Sequence, residues 1–493
     1  MQRDLNNGFN PLVFKSEFKS FNSASEDAVF TFLNLKHWFL DSINWDFSEH
    51  GKLWNYNLQY FNYLHQDNIS NEVKLRWLEE IGNWLHYGSL KLEPYPVSLR
   101  VMNMIRYFSG EYIQDKILQD QAYGQLNFLA NNLEFHILGN HLLENGFALF
   151  MGGFAFNNVK WQKRGKSILY SELNEQILED GAHYELSPMY HQIVLFRLLE
   201  LIDWYEEVEG KDLGFSNFVK DKAIRMLAWL ENVTFKKGDL PHFNDSTNGI
   251  ACSSQELFDL AFKLGLKRKN NYLLSMSGYR KFANQIYECV LDSGSIIATY
   301  QPGHSHADIF SFVLYCENIP VIVDTGLSTY ERNNRRNHER STSAHNTIEI
   351  GNEDQFEVWD VFRVGGRADV SVISETSSTI SASHNGYKNR FNAIHERKFH
   401  FNPEHIKIVD LIHGSNTQSA KSYLHFHPDC KITEMNGIIT VNDNITISFE
   451  NQKQTSLESY KLATEFNSYQ EAVVSVSEFD TSIETLITFV RRA

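Results

Sequence analysis

The first part of the chain, up to about residue 285, distributes its apolar positions with the period of an α-helix. In the segment VKLRWLEEIGNWLHYG (73–88) apolar side chains recur at spacings of three and four, and the segment HQIVLFRLLELIDWYEEVEG (191–210) repeats this pattern before Gly210. Eight of the nine tryptophans lie in this part. Several amphipathic helices in series, joined by short polar loops, predict a helix-on-helix layer architecture.

From about residue 286 the period changes to two. The short runs SIIATY, FSFVLY, PVIVD, KFHFN, IKIVDLI and SYLHFH are rich in β-branched or aromatic residues and are bounded by turn-forming residues. The Asn-Gly pair at Asn436 is a strong hairpin signal, and the Asn-Pro pair at Asn402 marks a second hairpin. We therefore predict a helical domain over residues 1–285 and an antiparallel β-sandwich over residues 286–493.

Composition supports two large cores and argues against nucleic acid as a partner. Of the 493 residues, 42% are hydrophobic and only 22% are charged, which suits a folded chain and argues against disorder. The formal net charge of −16 disfavours non-specific binding of nucleic acid. An anionic ligand would need a local cluster of Arg, Lys and His side chains to offset this charge.

The given sequence predicts no targeting or membrane-spanning segment. Its first residues, MQRDLNNGFNPLVF, lack the apolar stretch of a signal peptide, and no run of about 18 apolar residues predicts a membrane span. We expect a cytoplasmic protein as written, or a periplasmic or secreted one if a leader has been removed.

We interpret the four cysteines as small buried hydrophobic residues, although one disulfide bond among them stays an alternative. They are Cys252, Cys289, Cys316 and Cys430.

One candidate cluster lies in an apolar segment, LGNHLLENGFALF. It contains Asn140, His141 and Glu144, and the last two share one face of a helix because they are three residues apart. Buried polar groups need partners, so this set is either a satisfied core network or a functional site.

Two further clusters lie at loops. The segment DGAHYELSPMYHQ places Tyr190 and His191 at the start of an apolar helix, where a capped helix with surface aromatics is the alternative to a site. The segment LPHFNDSTNG places His242, Asn244 and Asp245 in a turn-rich loop. These side chains either contact a substrate or serve only the turn.

The stretch GHSHAD places His304 and His306 after an apolar run that indicates a β-strand. Metal binding, proton transfer, both or neither would account for two imidazoles so close together. Asp324 in VIVDTG and His345 in SAHNT follow further along, each attached to a short β run. His, Asp and His from a sandwich can converge on zinc, but such long spacings are not diagnostic.

Taken together and in this order, the motifs resemble the heparinase II/III-like polysaccharide lyase family. The resemblance is carried by GNHLLENG, DGAHYELSPMYHQ, PGHSHADIFSFVLY, VIVDTGLSTY and STSAHNT, and the aromatic segments LWNYNLQYFNYL and YPVSLRVMN resemble the family's N-terminal helical region. It implies an N-terminal incomplete (α/α) toroid followed by a C-terminal antiparallel β-sandwich. It also implies cleavage of uronic-acid-containing, glycosaminoglycan-like polysaccharides by β-elimination, which leaves unsaturated uronate ends.

The resemblance further implies roles for single residues. Asn140, His141 and Glu144 would hold and neutralise the substrate carboxylate, while Tyr190 and His304 would take the catalytic tyrosine and histidine positions. One structural Zn²⁺ would be bound by His306, Asp324 and His345. Because a ligating imidazole needs an acceptor at its other nitrogen, we expect Asp308 to contact His306. Weaker candidates for substrate contact are Arg100, His191, Arg197, His242, Asn244 and Tyr330.

β-Elimination removes the C5 proton of a uronate and expels the sugar linked at O4, so it needs a neutralised carboxylate, a base and an acid. Reference pKa values of about 10 for tyrosine and about 6.5 for histidine suit Tyr190 as the acid and His304 as the base near neutral pH. If the proton and the leaving group lie on one side of the ring, a Tyr190 phenolate could serve both steps.

Two other classes of function stay open. A glycan-binding or surface-polysaccharide assembly protein would keep an aromatic cleft and the zinc site without needing Tyr190 or His304. A glycoside hydrolase would use a pair of carboxylates. Candidates for such a pair are Glu144, Glu179, Asp180, Glu185 and Asp245. Among acidic polysaccharides, the net charge of −16 favours those with little or no sulfate. The sequence sets neither the polymer nor the oligomeric state.

Overall fold

The computed structural model describes residues 8–17, 23–267, 274–415 and 418–490. Helices dominate up to Lys263 and strands dominate from Tyr279 onward, as the two sequence periods predicted. Within the described ranges, each helix is too short or too polar to cross a lipid bilayer.

The helical part follows a small antiparallel sheet with the strand order β1-β2-β3. These strands are β1 (Ala24–Ser25), β2 (Val29–Phe32) and β3 (Leu35–Trp38). The helices are α1 (Lys52–Tyr60), α2 (Asn71–His86), α3 (Pro94–Gly110), α4 (Lys116–Asn131), α5 (Gly139–Ala155), α6 (Val159–Gln176), α7 (Pro188–Tyr205), α8 (Leu213–Val233) and α9 (Ser254–Lys263).

Local sequence accounts for where several helices begin and how closely they pack. Asp115 caps α4 by accepting from the backbone N–H groups of the first turn, and Asn158 caps α6 in the same way. A Cβ atom on Gly165 of α6 would lie 2.6 Å from the backbone nitrogen of Phe150 in α5. Only glycine therefore allows these two helices to approach so closely.

Both helices predicted from the spacing of apolar residues are confirmed. The segment 73–88 lies within or directly after α2, and the segment 191–210 forms most of α7. Helix α7 ends at Tyr205, before the predicted stop at Gly210, because the following residues form turns in which the N–H of Val208 donates to the carbonyl of Tyr205.

The remaining elements are mostly strands, with two short helices, α10 (Asn334–Glu339) and α11 (Lys388–Phe391). The strands are β4 (Tyr279–Ala283), β5 (Tyr287–Asp292), β6 (Phe312–Cys316), β7 (Ile319–Ile322), β8 (Ile348–Ile350), β9 (Glu357–Trp359), β10 (Arg363–Gly365), β11 (Val370–Glu375), β12 (Thr379–His384), β13 (Ala393–Phe401), β14 (His405–Gly414), β15 (Ala420–His425), β16 (Ile432–Met435), β17 (Ile438–Val441), β18 (Ile445–Glu450), β19 (Gln454–Glu465), β20 (Ser468–Phe479) and β21 (Ser482–Phe489).

These strands pair antiparallel in four further sheets. The orders are β11-β12-β13-β14-β21-β18-β17-β16, β19-β20-β15-β8, β4-β5-β6-β7 and β10-β9. Both predicted hairpins are present, since β16 pairs with β17 around Asn436 and Gly437, and β13 pairs with β14. Asn436 and Gly437 have φ values of 55° and 79°, as a two-residue hairpin turn requires.

Three of these sheets contribute to one apolar core. It includes Leu291 of β5, Ile348 of β8 and Ile408 of β14, all of them buried. Burial alternates with partial exposure along β13, β14 and β21, so one face of the largest sheet packs on this core.

Two details of the strand prediction are wrong. The strand-rich part begins at Tyr279, earlier than residue 286, and the run SIIATY (295–300) forms no strand. Its side chains serve two different apolar clusters instead, with Ile296 packed against the cluster around Ala307 and Ile297 against the cluster around Tyr279. Apolar character without a partner strand does not suffice for a sheet.

The chain divides into two compact units that interleave along the sequence. The first contains the described residues up to Ile177 together with Val194–Ala223 and Asp259–Lys267. The second contains Leu178–Ile193, Ile224–Phe258 and the described part of the segment that follows Lys267. The first turn of α7 therefore belongs to the strand-rich unit, and the domain boundary at residue 285 stays a prediction.

Candidate active site

In the strand-rich unit, the stretch GHSHAD forms a fixed turn rather than a strand end. Pro302–His304 makes a single 3₁₀ turn, and the next strand begins only at Phe312. The N–H of His306 donates to Asn244 Oδ1 (3.0 Å), and the N–H of Asn244 donates to Asp308 Oδ2 (3.2 Å). These bonds hold the turn on the loop that carries Asn244, and so fix the directions of its side chains.

Asp245 joins both histidines of this stretch. Its Oδ2 lies 2.8 Å from His304 Nδ1, and its Oδ1 lies 2.8 Å from His306 Nε2. Arg336 donates to both oxygens, and Asp245 and Arg336 are both fully buried. Burial alone would raise the pKa of Asp245, but Arg336 and the two imidazoles hold that pKa well below its usual range. Asp245 is therefore an anion at neutral pH.

This carboxylate sets the tautomer of His304. An ionised carboxylate only accepts hydrogen bonds, so Nδ1 of a neutral His304 carries the proton and Nε2 keeps a lone pair. The His304 side chain retains 14% of its surface exposed, whereas that of His306 is completely buried. His304 is thus the imidazole of this pair that can reach a ligand, and it is oriented as a general base would be.

Tyr190 lies against His304 within the same unit. Their ring centroids are 4.2 Å apart, and Tyr190 Oη lies 3.3 Å from Tyr330 Oη. Ser187 fixes the start of α7, because its Oγ accepts from the N–H of Tyr190 (3.2 Å) and donates to the carbonyl of Asp245 (2.7 Å). Burial, and then the neighbouring Tyr330, raise the pKa of Tyr190 well above its usual value. The phenol therefore stays protonated at neutral pH.

The predicted zinc ligands are buried near this pair. His345 Nδ1 lies 2.7 Å from Asp324 Oδ2, and the rings of His306 and His345 are 5.3 Å apart. The predicted hydrogen bond from His306 to Asp308 is wrong, because His306 Nε2 contacts Asp245. In the described part of the chain, no group of three or more His, Cys, Asp or Glu side chains is arranged to hold a metal ion.

Two nitrogen atoms of this group nevertheless fit a metal. His306 Nδ1 and His345 Nε2 are buried and have no hydrogen-bond partner among the described residues. Such nitrogens are costly unless something occupies their lone pairs. Asp324 Oδ2 contacts Nδ1 of His345, which fixes the ring and leaves Nε2 of His345 as the nitrogen that can bind a metal.

In the helical unit, His141 is held by Glu134 rather than by Glu144. His141 Nδ1 lies 3.0 Å from Glu134 Oε1, and its ring packs on Tyr95 with centroids 4.4 Å apart. The side chain of His141 is 30% exposed, so it remains accessible to a ligand. Glu134 is a residue that the sequence analysis missed.

Glu144 and Arg197 belong to a buried ion-pair network. Arg197 Nε lies 3.1 and 3.0 Å from the two carboxylate oxygens of Glu144, and Arg197 also bonds Glu200 (2.8 Å). Burial raises the pKa of Glu144, and Arg197 opposes that rise. Because the polar atoms of Glu144 and Arg197 pair within the fold, the predicted substrate contacts of both are not supported. Asn140 lies at the start of α5, and its role stays a prediction.

Three other predicted substrate contacts have structural roles in this fold. Arg100, His191 and Asn244 are buried, and their polar atoms form hydrogen bonds within their own unit. Their placement argues against contact with a polysaccharide. His242, which is partly exposed, and Tyr330, which contacts Tyr190, keep their predicted roles as candidates.

Sequence reasoning also missed Arg336 and the central position of Asp245. Arg336 lies in the polar segment ERNNRRNHER, where nothing in the sequence distinguishes it from the other arginines. The loop position of Asp245 indicates turn chemistry as readily as function. The informative signal is the full burial of both charges, which only the fold reveals.

Two sequence families match this chain. Residues 99–263 match the heparinase II/III N-terminus, and residues 267–488 match the heparinase II/III-like C-terminal domain. A heparin-sulfate lyase of Bacteroides stercoris is 25% identical over 325 residues, which cover 58% of this chain and 45% of that protein. A heparin-sulfate lyase of Pedobacter heparinus is 22% identical over 242 residues, or 44% of this chain and 36% of that protein. The matched region thus spans less than half the length of these curated relatives.

Solved structures share the fold. A crystal structure of heparinase III superposes with a TM-score of 0.73 at 18% identity, covering 92% of this chain and 80% of the other. A chondroitin AC lyase of Streptomyces coelicolor A3 superposes with a TM-score of 0.56 at 9% identity, covering 89% and 74%. Identities this low establish the likeness of fold alone.

Proposed function

Since the chain belongs to the heparinase II/III-like family, we propose that it is a lyase that cleaves a uronic-acid-containing polysaccharide by β-elimination. One observation carries the proposal: the Tyr190 phenol packs on the His304 imidazole with ring centroids 4.2 Å apart, and the buried Asp245 holds that imidazole from behind. The helical region is proposed to form an incomplete (α/α) toroid, and the strands an antiparallel β-sandwich. We propose a glycosaminoglycan-like substrate of low sulfation, in keeping with the net charge of −16.

In the proposed reaction, His304 Nε2 takes the C5 proton of the uronate, the C4–O4 bond breaks and a C4–C5 double bond forms. Tyr190 gives its hydroxyl proton to the departing O4. This division of roles follows from the buried phenol, whose raised pKa disfavours the phenolate that a tyrosine base would need. Asp245 supports His304 because its negative charge favours the imidazolium that forms after proton transfer.

The substrate carboxylate must be neutralised before its C5 proton can leave. We assign this task to Asn140 and His141, with Glu134 rather than Glu144 orienting His141 through the 3.0 Å contact. Donors that strengthen their hydrogen bonds as the enolate forms lower the barrier by about 2.7–4 kcal/mol each in known oxyanion sites.

A hydrolytic mechanism fits the carboxylates less well. Asp245 and Glu144 are both paired with buried arginines, and the pKa of Asp245 is held too low for it to act as an acid. A glycosidase needs one carboxylic acid and one carboxylate facing the same sugar bond.

A panel of uronate polymers tests the proposed function. The purified chain is incubated with hyaluronan, chondroitin, unsulfated heparosan, heparan sulfate and alginate, with neutral dextran as control. We expect ultraviolet absorbance to rise with at least one uronate polymer, because the new double bond is conjugated with the carboxylate. New reducing ends without that absorbance would contradict the proposal.

We also propose one structural zinc ion held by His306, Asp324 and His345, two of which present unpartnered buried nitrogens. Zinc would cross-link the segments that carry these ligands, and the substrate-facing residues would act without contacting it. We expect protein purified from zinc-containing medium to hold about one zinc per chain, and His345→Ala to lose it and melt at a lower temperature.

Mass spectrometry measures the zinc content of each protein. Melting curves with and without chelator measure the effect of the metal on stability. His413→Ala is the matched control, because His413 has 53% of its side chain exposed and pairs with Glu396, which is not a predicted metal ligand. Wild-type protein without bound zinc, and with a melting temperature that added zinc does not change, would refute the metal site.

A further inference from the structure

A two-stranded hairpin near His304 has one apolar face buried and one face exposed. In β9 and β10, Trp359 pairs with Arg363 and Val358 pairs with Val364. Cross-strand partners share a face, and successive residues alternate faces. Val358 and Val364 pack against the apolar cluster that includes Ala307, next to His306 in the chain. Trp359 and Arg363 are therefore on the outer face, where 49% of Trp359 is exposed.

Two buried arginines tie the tip of this hairpin to the candidate active site. Arg336 donates to the carbonyl of Val361 from Nε (3.1 Å) and Nη2 (2.9 Å), while the same guanidinium holds Asp245. Arg340 donates to the carbonyls of Val361 (3.2 Å) and Ser305 (3.1 Å). Arg336 thus positions the hairpin tip and also holds Asp245, the hydrogen-bond partner of His304.

Phe362, at the end of the turn, extends the exposed surface up to His304. Its ring lies 5.5 Å from that of His304 and 5.2 Å from that of Tyr330, yet 44% of the residue remains exposed. A Cβ atom on Gly303 would lie only 3.1 Å from Phe362 Cβ, so glycine permits this close approach. Single exposed aromatic residues are ordinary. Here, two exposed aromatic residues lie on one hairpin that buried arginines anchor beside a candidate base, and this arrangement indicates a binding surface.

The polar groups around these rings suit an acidic sugar. Arg363 is exposed opposite Trp359, and Arg332, whose side chain is 79% exposed, pairs with Asp360 in the turn (2.7 Å). Glu357 is exposed two residues before Trp359, on the same face of the strand. The apolar face of a pyranose can cover an aromatic ring, its carboxylate or sulfate can bind a guanidinium, and its hydroxyls can donate to a carboxylate.

We propose that Trp359, Phe362 and Arg363 form a binding platform for one acidic sugar ring of the polymer, next to the sugar whose bond is cleaved. This inference rests on the proposed function, whose site lies at His304. The ring stacks on Trp359 and its negative charge binds Arg363, both on the outer face, while Phe362 provides an apolar contact beside His304. The platform takes no part in proton transfer, so it determines which chains bind and how tightly.

Polymer binding by the full chain tests the platform. Trp359→Ala, Phe362→Ala, Phe362→Tyr and Arg363→Gln are each made together with Tyr190→Phe, so that no turnover occurs during the assay. Affinity electrophoresis in gels containing hyaluronan, heparosan or neutral dextran gives Kd. We expect Trp359→Ala and Phe362→Ala to raise Kd about tenfold, whereas the Kd of Phe362→Tyr should stay near that of the parent. Arg363→Gln should raise Kd and make it less dependent on salt.

Trp38→Ala is the matched control, since Trp38 is 59% exposed and belongs to the other compact unit. The platform is overturned if variants that melt like the parent bind as tightly as the control. In the turnover-competent chain, Trp359→Ala should raise KM with kcat nearly unchanged. If the platform variants lose binding but the wild-type chain makes no unsaturated product, the lyase activity is refuted and the platform is retained. Normal binding in an active lyase would refute the platform alone.

Discussion

Replacement of Tyr190 by phenylalanine is expected to lower kcat by about 10³-fold or more while leaving polymer affinity within about twofold. The substitution removes one hydroxyl, whose contact is with Tyr330 Oη at 3.3 Å, and leaves the ring packed on His304. Without that proton, the departing O4 must leave as an alkoxide. Initial rates of ultraviolet absorbance at saturating polymer give kcat, and affinity electrophoresis gives Kd.

A substrate that needs no acid separates the two catalytic roles. A uronide with fluoride in place of the O4-linked sugar expels a leaving group that requires no proton, so Tyr190→Phe should recover most of its activity on it. His304→Ala should remain inactive on the same substrate, since the C5 proton must still be removed. Tyr469→Phe, an exposed tyrosine on β20, is the control. Normal turnover of the natural polymer by Tyr190→Phe would refute the assignment.

Replacement of Asp245 by asparagine is expected to damage both stability and catalysis. The variant leaves the fully buried Arg336 without its anionic partner, and breaking a buried ion pair lowers the free energy of unfolding by about 3–5 kcal/mol. The remaining folded protein should show kcat reduced by about 10²–10⁴-fold, because an amide can hold His304 in the wrong tautomer; the corresponding change in serine proteases costs about 10⁴-fold.

A double variant separates these two effects. Asp245→Asn combined with Arg336→Met removes both charges, so it should regain part of the lost stability while activity stays low. Unfolding in denaturant gives the free energy, and ultraviolet assays give kcat. Asp443→Asn is the control, because its pair with Lys431 is exposed and worth at most about 1 kcal/mol. An Asp245→Asn variant as stable and active as that control would contradict the role given to this carboxylate.

Local patterns predicted the elements that depend on local physics. The spacing of apolar residues is enough for α2 and α7, and the Asn-Gly pair at Asn436 is enough for the hairpin of β16 and β17. The motif order likewise indicated that Tyr190 and His304 act together, and the structure places their rings in contact. Each of these inferences needs only a short stretch or a recognisable motif.

The partners of the site residues depend on tertiary contacts and were largely missed. Helical spacing places Glu144 on the same face as His141, but Arg197 pairs with Glu144 and the loop residue Glu134 contacts His141. Asp245 is central because a fully buried arginine, distant in sequence, reaches it. A chain of 493 residues offers many such charges, and only folding determines which of them are buried together.

The chemical fate of the cleaved bond tests the central claim most directly. The wild-type chain is incubated with its preferred uronate polymer in water enriched in heavy oxygen, and the products are weighed by mass spectrometry. Elimination adds no water, so we predict fragments with an unsaturated, unlabelled non-reducing end that are lighter than hydrolysis products by one water, after the exchangeable oxygen of the reducing end is removed by reduction and washing in ordinary water. Heavy oxygen at the new ends, with no double bond, would show that the bond is hydrolysed and that His304 and Tyr190 do not act as proposed.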